Sequence, residues 1–291
     1  MTVGQAFEVF KSALEITQPE QDAATSSQER LRARLERRLT ILEDFLSGSY
    51  KRDTKIRPLT DIDLLVVLDP AYFTYGPAGV LRLLASHLRA SYPNSRLRIQ
   101  NRSVNLAFLR FGFDVVPAFY RQGGGLLIPS MKCNSWTSTN PKAHEKALSD
   151  ANLACGGKLK PLIKMVKCWN RSRGGKLQSF HIEVLALEVL GPPVQDYQTA
   201  AFEFFGQAAD RIQYPCFDPA GLGPPVDDYL NRPARLAASR LLMAAARSAQ
   251  RALELEWRGR NAAARAVWGQ IFRKPFPALS GVSSTLGRTV A

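Results

Sequence analysis

The sequence predicts an α+β fold in which a mixed sheet precedes a set of helices. The run IDLLVVL at 62–68 is short, apolar and β-branched, which indicates a buried strand. Three strand-like runs follow in close succession at 96–101, 104–110 and 113–120. From residue 141 onward the apolar residues recur at helical spacing. Strands followed by helices are typical of an α+β lobe with a helical lobe beside it.

Two helices are expected before the first strand, at about 5–16 and 28–46, with Ser27 as the N-cap of the second and Gly48 at its end. The second prediction rests on apolar residues at helical spacing, which are Leu31, Leu35, Leu39, Leu42, Phe45 and Leu46. A further helix is expected at about 77–91. The three runs between 96 and 120 have connections too short for helical crossovers, so they should pair as antiparallel neighbours.

The C-terminal half is predicted to be helical. The expected helices lie at 141–154, 158–171, 180–190, 197–211 and 233–270. The Pro/Gly-rich segment 218–228 should be a loop, and residues after about 279 are expected to be poorly ordered. We therefore expect a catalytic lobe at 1–130, a helical lobe at 131–291 and a nucleotide cleft between them.

Composition narrows the classes of function. The chain has 291 residues and a net charge of +14, and a field of this sign attracts nucleotides, nucleic acid or acidic membranes. No apolar run approaches the roughly 18 residues that cross a bilayer, and the N-terminus lacks the features of a signal peptide. The four cysteines are too scattered for a zinc site, which favours a reducing compartment. A soluble, cytoplasmic protein without membrane contact is expected.

Carboxylates on the predicted strands indicate a metal site. Asp61 and Asp63 are two residues apart on a strand, so their side chains point to one face of the sheet. Asp114 lies in the apolar run FDVVPAF, where an unpaired charge would be costly to bury unless a cation balances it. Asp69 is at the far end of its strand, and Asp53 suits a structural role. Two carboxylates on one sheet face suit Mg²⁺ and phosphoryl or nucleotidyl transfer.

A glycine-led loop precedes these carboxylates. Glycine allows the backbone to approach a phosphate closely, and a serine hydroxyl can bind phosphate oxygens. Gly48-Ser49 is followed by eleven residues and then by Asp61-Ile-Asp63. This spacing resembles the signature of the DNA polymerase β-like nucleotidyltransferase superfamily. Within it, GSYKRDTKIRPLTDIDLLVVL (48–68) resembles the bacterial cGAS-like (CD-NTase) family, which is related to cGAS and the oligoadenylate synthases.

The resemblance extends into the second half of the chain. NSWTSTNPKAHEKAL (134–148) is similar to the family segment that precedes the helical lobe, and 159–170 and 179–190 are similar to the helices that complete the donor pocket. The resemblance implies that Lys167 and Ser179 contact the triphosphate. Replacement of Lys167 is then expected to weaken nucleotide binding and to leave the fold intact.

Without the resemblance, the lysines of the expected helix at 158–171 allow two interpretations. Lys160, Lys164 and Lys167 recur at helical spacing and would form one basic face, which is either a phosphate-binding surface or a solvated helix side. Lys164 is the substitute should Lys167 not contact phosphate.

The resemblance implies a polymerase β-like core that binds two Mg²⁺ ions, with Mn²⁺ as an alternative. It also implies that ATP or GTP, or both, are joined into a cyclic di- or trinucleotide for anti-phage signalling, with release of pyrophosphate, and that an effector reads the product. No His/Cys cluster suggests a zinc insertion, so no DNA activator is expected, and the protein should be a monomer. The implied site comprises the metal-binding, catalytic residues Asp61, Asp63 and Asp114 and the nucleotide-binding residues Gly48, Ser49, Lys167 and Ser179.

Two other classes of function stay open. The first is another enzyme of the same superfamily, which extends RNA or adenylylates a protein or antibiotic. The second is a basic nucleic-acid-binding module without catalysis, which leaves the three aspartates unexplained because acids oppose phosphate binding unless a metal intervenes. The bases, linkage and ring size of a product depend on pocket residues that the sequence does not bring together.

Overall fold

The order of elements follows the predicted plan of sheet first and helices later. The structure is a computed structural model that describes residues 1–277. Its first half contains α1 (Val3–Leu14), α2 (Gln18–Glu36), β1 (Ile41–Ser47), α3 (Gly48–Lys51), β2 (Asp61–Leu68), a 3₁₀ turn (Pro70–Tyr75), α4 (Gly76–Ser91), β3 (Leu97–Ile99), β4 (Val104–Ala107), β5 (Gly112–Tyr120), β6 (Leu126–Ser130) and β7 (Ser135–Thr139). Its second half contains α5 (Pro141–Ala154), α6 (Leu159–Ser172), α7 (Ser179–Val189), α8 (Tyr197–Arg211), α9 (Arg232–Trp257) and α10 (Asn261–Phe272). The predicted α+β fold class is confirmed.

The described strands form one mixed sheet in the order β1-β2-β5-β4-β3. Strands β2 and β5 are parallel, whereas β1–β2, β3–β4 and β4–β5 are antiparallel. The predicted antiparallel pairing of the three successive runs is therefore confirmed. Strand β6 pairs with the end of β5 and with β7, which extends the sheet towards the helical lobe. Neither β6 nor β7 was expected from the sequence.

The predicted helix at 28–46 is wrong in both bounds. Helix α2 begins earlier, because Thr17 and Glu20 form a capping box in which the Thr17 N–H donates to Glu20 Oε2 at 2.8 Å. Residues 41–47 instead form β1, which pairs along β2 with Leu46 opposite Leu64. Their leucine spacing fits a helix locally, but pairing with a buried central strand outweighs that weak preference.

Most other helices agree with prediction. Helices α4, α5, α6, α7 and α8 begin within one residue of their expected starts. The expected helix at 233–270 is divided in two, since Gly259 adopts a φ of 73° between α9 and α10. The expectation of poor order after about 279 concerns residues outside the described part of the chain.

The sheet has one face covered by helices and one face left for the cleft. Buried residues of α2 and α4, such as Leu35 and Leu84, pack against the side chains of Ile62 and Leu64 in β2. Because strand side chains alternate, Asp63 and its neighbours of the same parity point to the opposite face. The fold therefore presents the carboxylate-bearing face away from α2 and α4.

Helix α1 packs with the C-terminal helices although it begins the chain. The rings of Phe7 and Trp268 lie 5.0 Å apart, as do those of Phe10 and Phe272. Both phenylalanines are fully buried in the core that α6, α8 and α10 share. The lobe boundary expected at residue 130 stays a prediction, and α1 forms part of the helical core.

Within residues 1–277, no helix is both long enough and apolar enough to cross a membrane.

Candidate active site

Three carboxylates lie on the open face of the sheet. Parallel pairing of β2 with β5 places Asp63 directly opposite Asp114, and Asp61 opposite Gly112. Paired strands lie about 4.8 Å apart, so Asp63 and Asp114 are side by side. The structure thus brings together the three aspartates that the sequence predicted as one site.

Burial and mutual repulsion make this cluster electrostatically unfavourable without a cation. Burial raises the pKa of Asp63, and the charge of Asp114 raises it further. Burial also raises the pKa of Asp114, although a hydrogen bond from Asn105 opposes the change. Buried like charges of this kind are relieved by a bound metal ion or by protonation.

Asn105 is a site residue that the sequence analysis missed. Its Nδ2 donates to Asp114 Oδ1 at 2.8 Å and lies 3.5 Å from Asp61 Oδ1. The signal was a polar residue within the apolar run VNLAF, but its face follows only from the pairing of Asn105 with Asp114. Among the described residues no group of three His, Cys, Asp or Glu side chains is closed around a metal position. The oxygen donors fit Mg²⁺ chemically, and the Asn105 amide lies between two of them.

Gly48 brings the predicted phosphate loop against the carboxylates. Its φ is 63°, and a Cβ built there would lie 1.6 Å from Asp63 Oδ2. Only glycine accepts this conformation and this approach, so the loop backbone packs directly on the Asp63 side chain. The one-turn helix α3 then carries Ser49 away from the end of β1.

The predicted phosphate-binding side chains converge on one cavity of about 220 Å³. Ser49 from α3 and Ser179, the first residue of α7, both line it. Lys167 lines it as well, together with Lys55 and Arg171, which the sequence analysis did not select. Hydroxyl groups and cations around one small cavity suit phosphate oxygens.

Lys55 connects this cavity to the carboxylates. Burial lowers the pKa of its ammonium, and the negative charges of Asp61 and Asp63 oppose that change. Lys55 thus lines the cavity and lies within electrostatic range of the carboxylates. A larger cleft of about 640 Å³ adjoins it and is bounded by Asp114, Ser179 and the 222–226 loop.

Lys167 is buried and hydrogen-bonded to the protein, unlike a lysine whose ammonium is free in the cleft. Its side chain is 5% exposed, and Nζ donates to Glu183 Oε1 at 2.6 Å and to the Thr54 carbonyl and hydroxyl at 3.0 and 2.9 Å. Burial lowers the pKa of Lys167 to about 8, although Glu183 opposes this. Its contact with a triphosphate stays a prediction, and it would need Nζ to exchange one of these acceptors for a phosphate oxygen.

The basic face predicted on α6 is not a solvated helix side. Lys164 is buried, and its Nζ donates to Glu15 Oε2 at 2.5 Å and to Asp53 Oδ1 at 2.7 Å. Asp53 therefore has the structural role that was expected for it. Together, Lys164 and Lys167 fix the loop that follows Gly48 to helix α6.

Glu183 on α7 is the centre of this attachment. It is 1% exposed, and its carboxylate accepts from Lys167, from Arg52 Nε at 2.5 Å and from the Thr54 hydroxyl at 2.8 Å. Burial alone would raise the pKa of Glu183, but the charges of Lys167 and Arg52 lower it to about 2. Arg52 is also buried. We call Arg52, Thr54, Lys167 and Glu183 the loop anchor.

Comparison with known proteins assigns this site to a family. Residues 1–152 match the family described as the Second Messenger Oligonucleotide or Dinucleotide Synthetase domain. The chain belongs to this family. The predicted resemblance to the bacterial cGAS-like nucleotidyltransferases is thereby confirmed.

Relatives with known or inferred products support this membership. A cyclic AMP-AMP-AMP synthase from Acinetobacter sp. is 35% identical over 135 residues, which cover 44% of this chain and 39% of that enzyme. A probable cyclic nucleotide synthase from Bacillus cereus is 23% identical, with 95% of this chain and 98% of that protein covered. The first alignment thus spans less than half of the Acinetobacter enzyme.

Solved structures of the family share the fold. Escherichia coli CdnC with ATP superposes with a TM-score of 0.78 at 19% identity, over 94% of this chain and 98% of that one. Bradyrhizobium diazoefficiens CdnG in complex with GTP gives a TM-score of 0.74 at 15% identity, over 90% and 96% of the two chains. The synthetase fold therefore extends through both halves of the described chain.

Proposed function

We propose that this protein is a Mg²⁺-dependent nucleotidyltransferase that joins ATP or GTP, or both, into a cyclic di- or trinucleotide signal. The observation that carries the proposal is the trio Asp61, Asp63 and Asp114 packed against the phosphate loop at Gly48. Membership of the synthetase family supports it. Two relatives are named cyclic AMP-AMP-AMP synthases, which favours ATP as a substrate.

The donor nucleotide is held by the loop and the small cavity. The hydroxyls of Ser49 and Ser179 and the ammonium of Lys55 bind its triphosphate, while the loop anchor fixes the loop that carries Ser49. The three aspartates would hold two Mg²⁺ ions, which when bound neutralise phosphate charge and acidify the acceptor hydroxyl. A site that fixes these charges before the reaction lowers the barrier without reorganisation during it.

Asp114 serves the acceptor nucleotide. It lies on the strand next to β2, and Asn105 fixes one of its oxygens. The acceptor ribose hydroxyl loses its proton towards this carboxylate as its oxygen attacks the α-phosphorus of the donor. The bond from the α-phosphorus to the bridging oxygen breaks, and pyrophosphate leaves with the electron pair. A second transfer of the same kind within the linear product, directly or after one more addition, closes the ring.

The proposal is tested by incubating the purified protein with ATP, GTP or both in the presence of Mg²⁺. We expect pyrophosphate release together with phosphatase-resistant products whose masses match cyclic nucleotides. Mn²⁺ should substitute for Mg²⁺, and EDTA should stop the reaction. Activity that appears only with double-stranded DNA would contradict the expected absence of a DNA activator and leave the reaction type in place.

The positive net charge keeps a second candidate in view, an enzyme of the same superfamily that extends RNA. Such an enzyme would lengthen labelled RNA in the presence of ATP and would make no phosphatase-resistant small product.

The anti-phage role is a further part of the proposal. It is tested by expressing the active and the aspartate-substituted protein, each with its native neighbouring genes, in phage-challenged bacteria.

A further inference from the structure

The turn between β3 and β4 is a rigid part of the cleft wall. The Gln100 N–H donates to the Ser103 carbonyl at 2.8 Å, and the Ser103 hydroxyl donates to Gln100 Oε1 at 3.1 Å. Asn101 joins this turn to the one between β6 and β7, because its carbonyl accepts from Met131 N–H at 2.9 Å and its Oδ1 from Lys132 N–H at 2.7 Å. The side chain between these fixed points is therefore positioned by both hairpins.

That side chain is Arg102, and it lines the large cleft. Its Nε is buried and has no hydrogen-bond partner among residues 1–277. Arg102 as a whole is only partly buried, and a guanidinium whose Nε donor lacks an acceptor in a substrate cleft is suited to an anionic ligand. Lys132 lies on the same wall and adds to the positive charge.

The sheet order decides which nucleotide Arg102 faces. Gly48 follows β1, which lies on one side of the aspartates, whereas Arg102 lies beyond β4, on the other side of Asp114. The donor triphosphate of the proposed function lies with Gly48. An acceptor that presents its hydroxyl to Asp114 carries a triphosphate of its own, and repulsion favours keeping the two triphosphates apart.

We propose that Arg102 binds the 5′-phosphates of the acceptor nucleotide. The inference rests on the proposed function and adds an acceptor-binding residue to it. A planar guanidinium gives two parallel hydrogen bonds to a phosphate, which suits recognition of the triphosphate rather than of the ribose. The linear product of the first transfer keeps this 5′-triphosphate, which leaves Arg102 for the donor site before the ring closes.

The test separates donor from acceptor. The donor is 2′,3′-dideoxy-ATP, which lacks the ribose hydroxyls and so cannot serve as an acceptor. The acceptor is either adenosine or α,β-methylene-ATP, whose methylene bridge prevents it from donating its nucleotidyl group. Arg102→Ala should lower the preference for the triphosphate acceptor over adenosine by about ten- to a hundredfold, the value of a charge-assisted hydrogen bond. Arg89→Ala, at an exposed position of α4 on the opposite face of the sheet, removes the same charge and should keep the wild-type preference.

Other outcomes overturn the inference. An Arg102→Ala variant that weakens both acceptors equally, or that raises the KM for the donor alone, would remove Arg102 from the acceptor phosphates. A lower melting temperature would indicate a structural role, whereas removal of a buried Nε donor that has no acceptor predicts an equal or higher one. Failure of the wild-type protein to join these nucleotides contradicts the proposed function instead. In that case calorimetric binding of α,β-methylene-ATP decides, since unchanged affinity in Arg102→Ala overturns the inference and weakened affinity supports it.

Discussion

At the scale of single residues, the site separates side chains that meet the substrate from side chains that hold the loop. Ser49, Ser179 and Lys55 line the phosphate cavity, and Lys55 also lies close to the aspartates. Lys167 lines the same cavity, but its Nζ donates hydrogen bonds to Thr54 and Glu183. Two lysines near one cavity therefore have different expected consequences when removed.

Replacing Asp61 and Asp63 by Asn should abolish catalysis and leave the fold intact. The amides keep the shape and hydrogen-bonding capacity of the carboxylates but not the charges that hold Mg²⁺. Without added metal the variant should be as heat-stable as the wild type or more so, because carboxylate repulsion is relieved. Melting temperature and pyrophosphate release are measured on the same sample. Asp69→Asn, at the far end beyond β2, is the matched control and should stay active. A stable, fully active double variant would refute the nucleotidyltransferase assignment.

Lys55→Ala and Lys167→Ala should differ in what they damage. Lys55→Ala is expected to weaken triphosphate binding by roughly ten- to a hundredfold with little change in melting temperature. Lys167→Ala leaves Glu183 buried with one cation fewer, so it should lower the free energy of unfolding by about 3–5 kcal/mol. This corrects the expectation that the fold is insensitive to Lys167. Equilibrium nucleotide binding and urea unfolding of both variants are the measurements, and equal stability losses would contradict the division of roles.

At the scale of elements, the loop anchor ties α3 and the following loop to α6 and α7. Arg52 follows α3 and donates to the buried carboxylate of Glu183 on α7, which lies 131 positions later in the chain. Since Ser179 begins α7 and Ser49 lies in α3, the anchor fixes the separation of the two serines that line the phosphate cavity. Glu183 is thus a positioning residue, although it lies away from the proposed reacting atoms.

The anchor should make stability depend on acidity. The pKa of Glu183 is about 2 in the folded protein and about 4.5 when it is unfolded, so its contribution is complete above pH 4.5 and is lost as the pH falls towards 2. By pH 3 the loss should be on the order of 2 kcal/mol. Glu183→Gln has no such carboxylate, and the difference in unfolding free energy between wild type and variant should shrink from pH 5 to pH 3. A difference that stays constant would show that Glu183 is not charged in the fold.

At the scale of the whole molecule, the two ends of the described chain share a core. Phe7 and Phe10 of α1 pack among Trp268, Phe272 and Phe276. In the chain, the sheet lies between α1 and these C-terminal residues. The contacts that complete the helical core therefore join the segments on either side of the sheet. Helix α1 and the loop anchor both connect the first 130 residues to the later helices.

Phe7→Ala should accordingly destabilise the whole protein by about 3–5 kcal/mol, the usual cost of removing a fully buried phenylalanine. The fragment 131–291 should unfold without a cooperative transition, because it lacks the α1 side chains of its core. Val9→Ala, an exposed position on the same helix, is the control and should be nearly neutral. Circular dichroism during urea unfolding is the measurement. A fragment 131–291 with a sharp transition would show that α1 is dispensable.

Local sequence was enough to predict the chemical centre. Asp61 and Asp63 share a face because strand side chains alternate, and the loop at Gly48 was identified from its spacing to them. The first inference follows from strand geometry and the second from the resemblance to the superfamily signature, and both need only residues within about 15 positions. The antiparallel pairing of the runs between 96 and 120 and the order of later helices were also anticipated in outline, because short connections restrict how strands can pair.

Tertiary structure alone decided the remaining features. Residues 41–47 became a strand because β2 offered a partner, although their local spacing suits a helix. Lys167 is a buried anchor because it forms an ion pair with Glu183 of another helix. Asn105 lies at the carboxylates because β4 pairs with β5, and Arg102 lines the cleft because of the turn that joins β3 to β4. Each of these outcomes depends on which groups exclude water together, and burial is a property of the assembled chain that no local pattern of residues specifies.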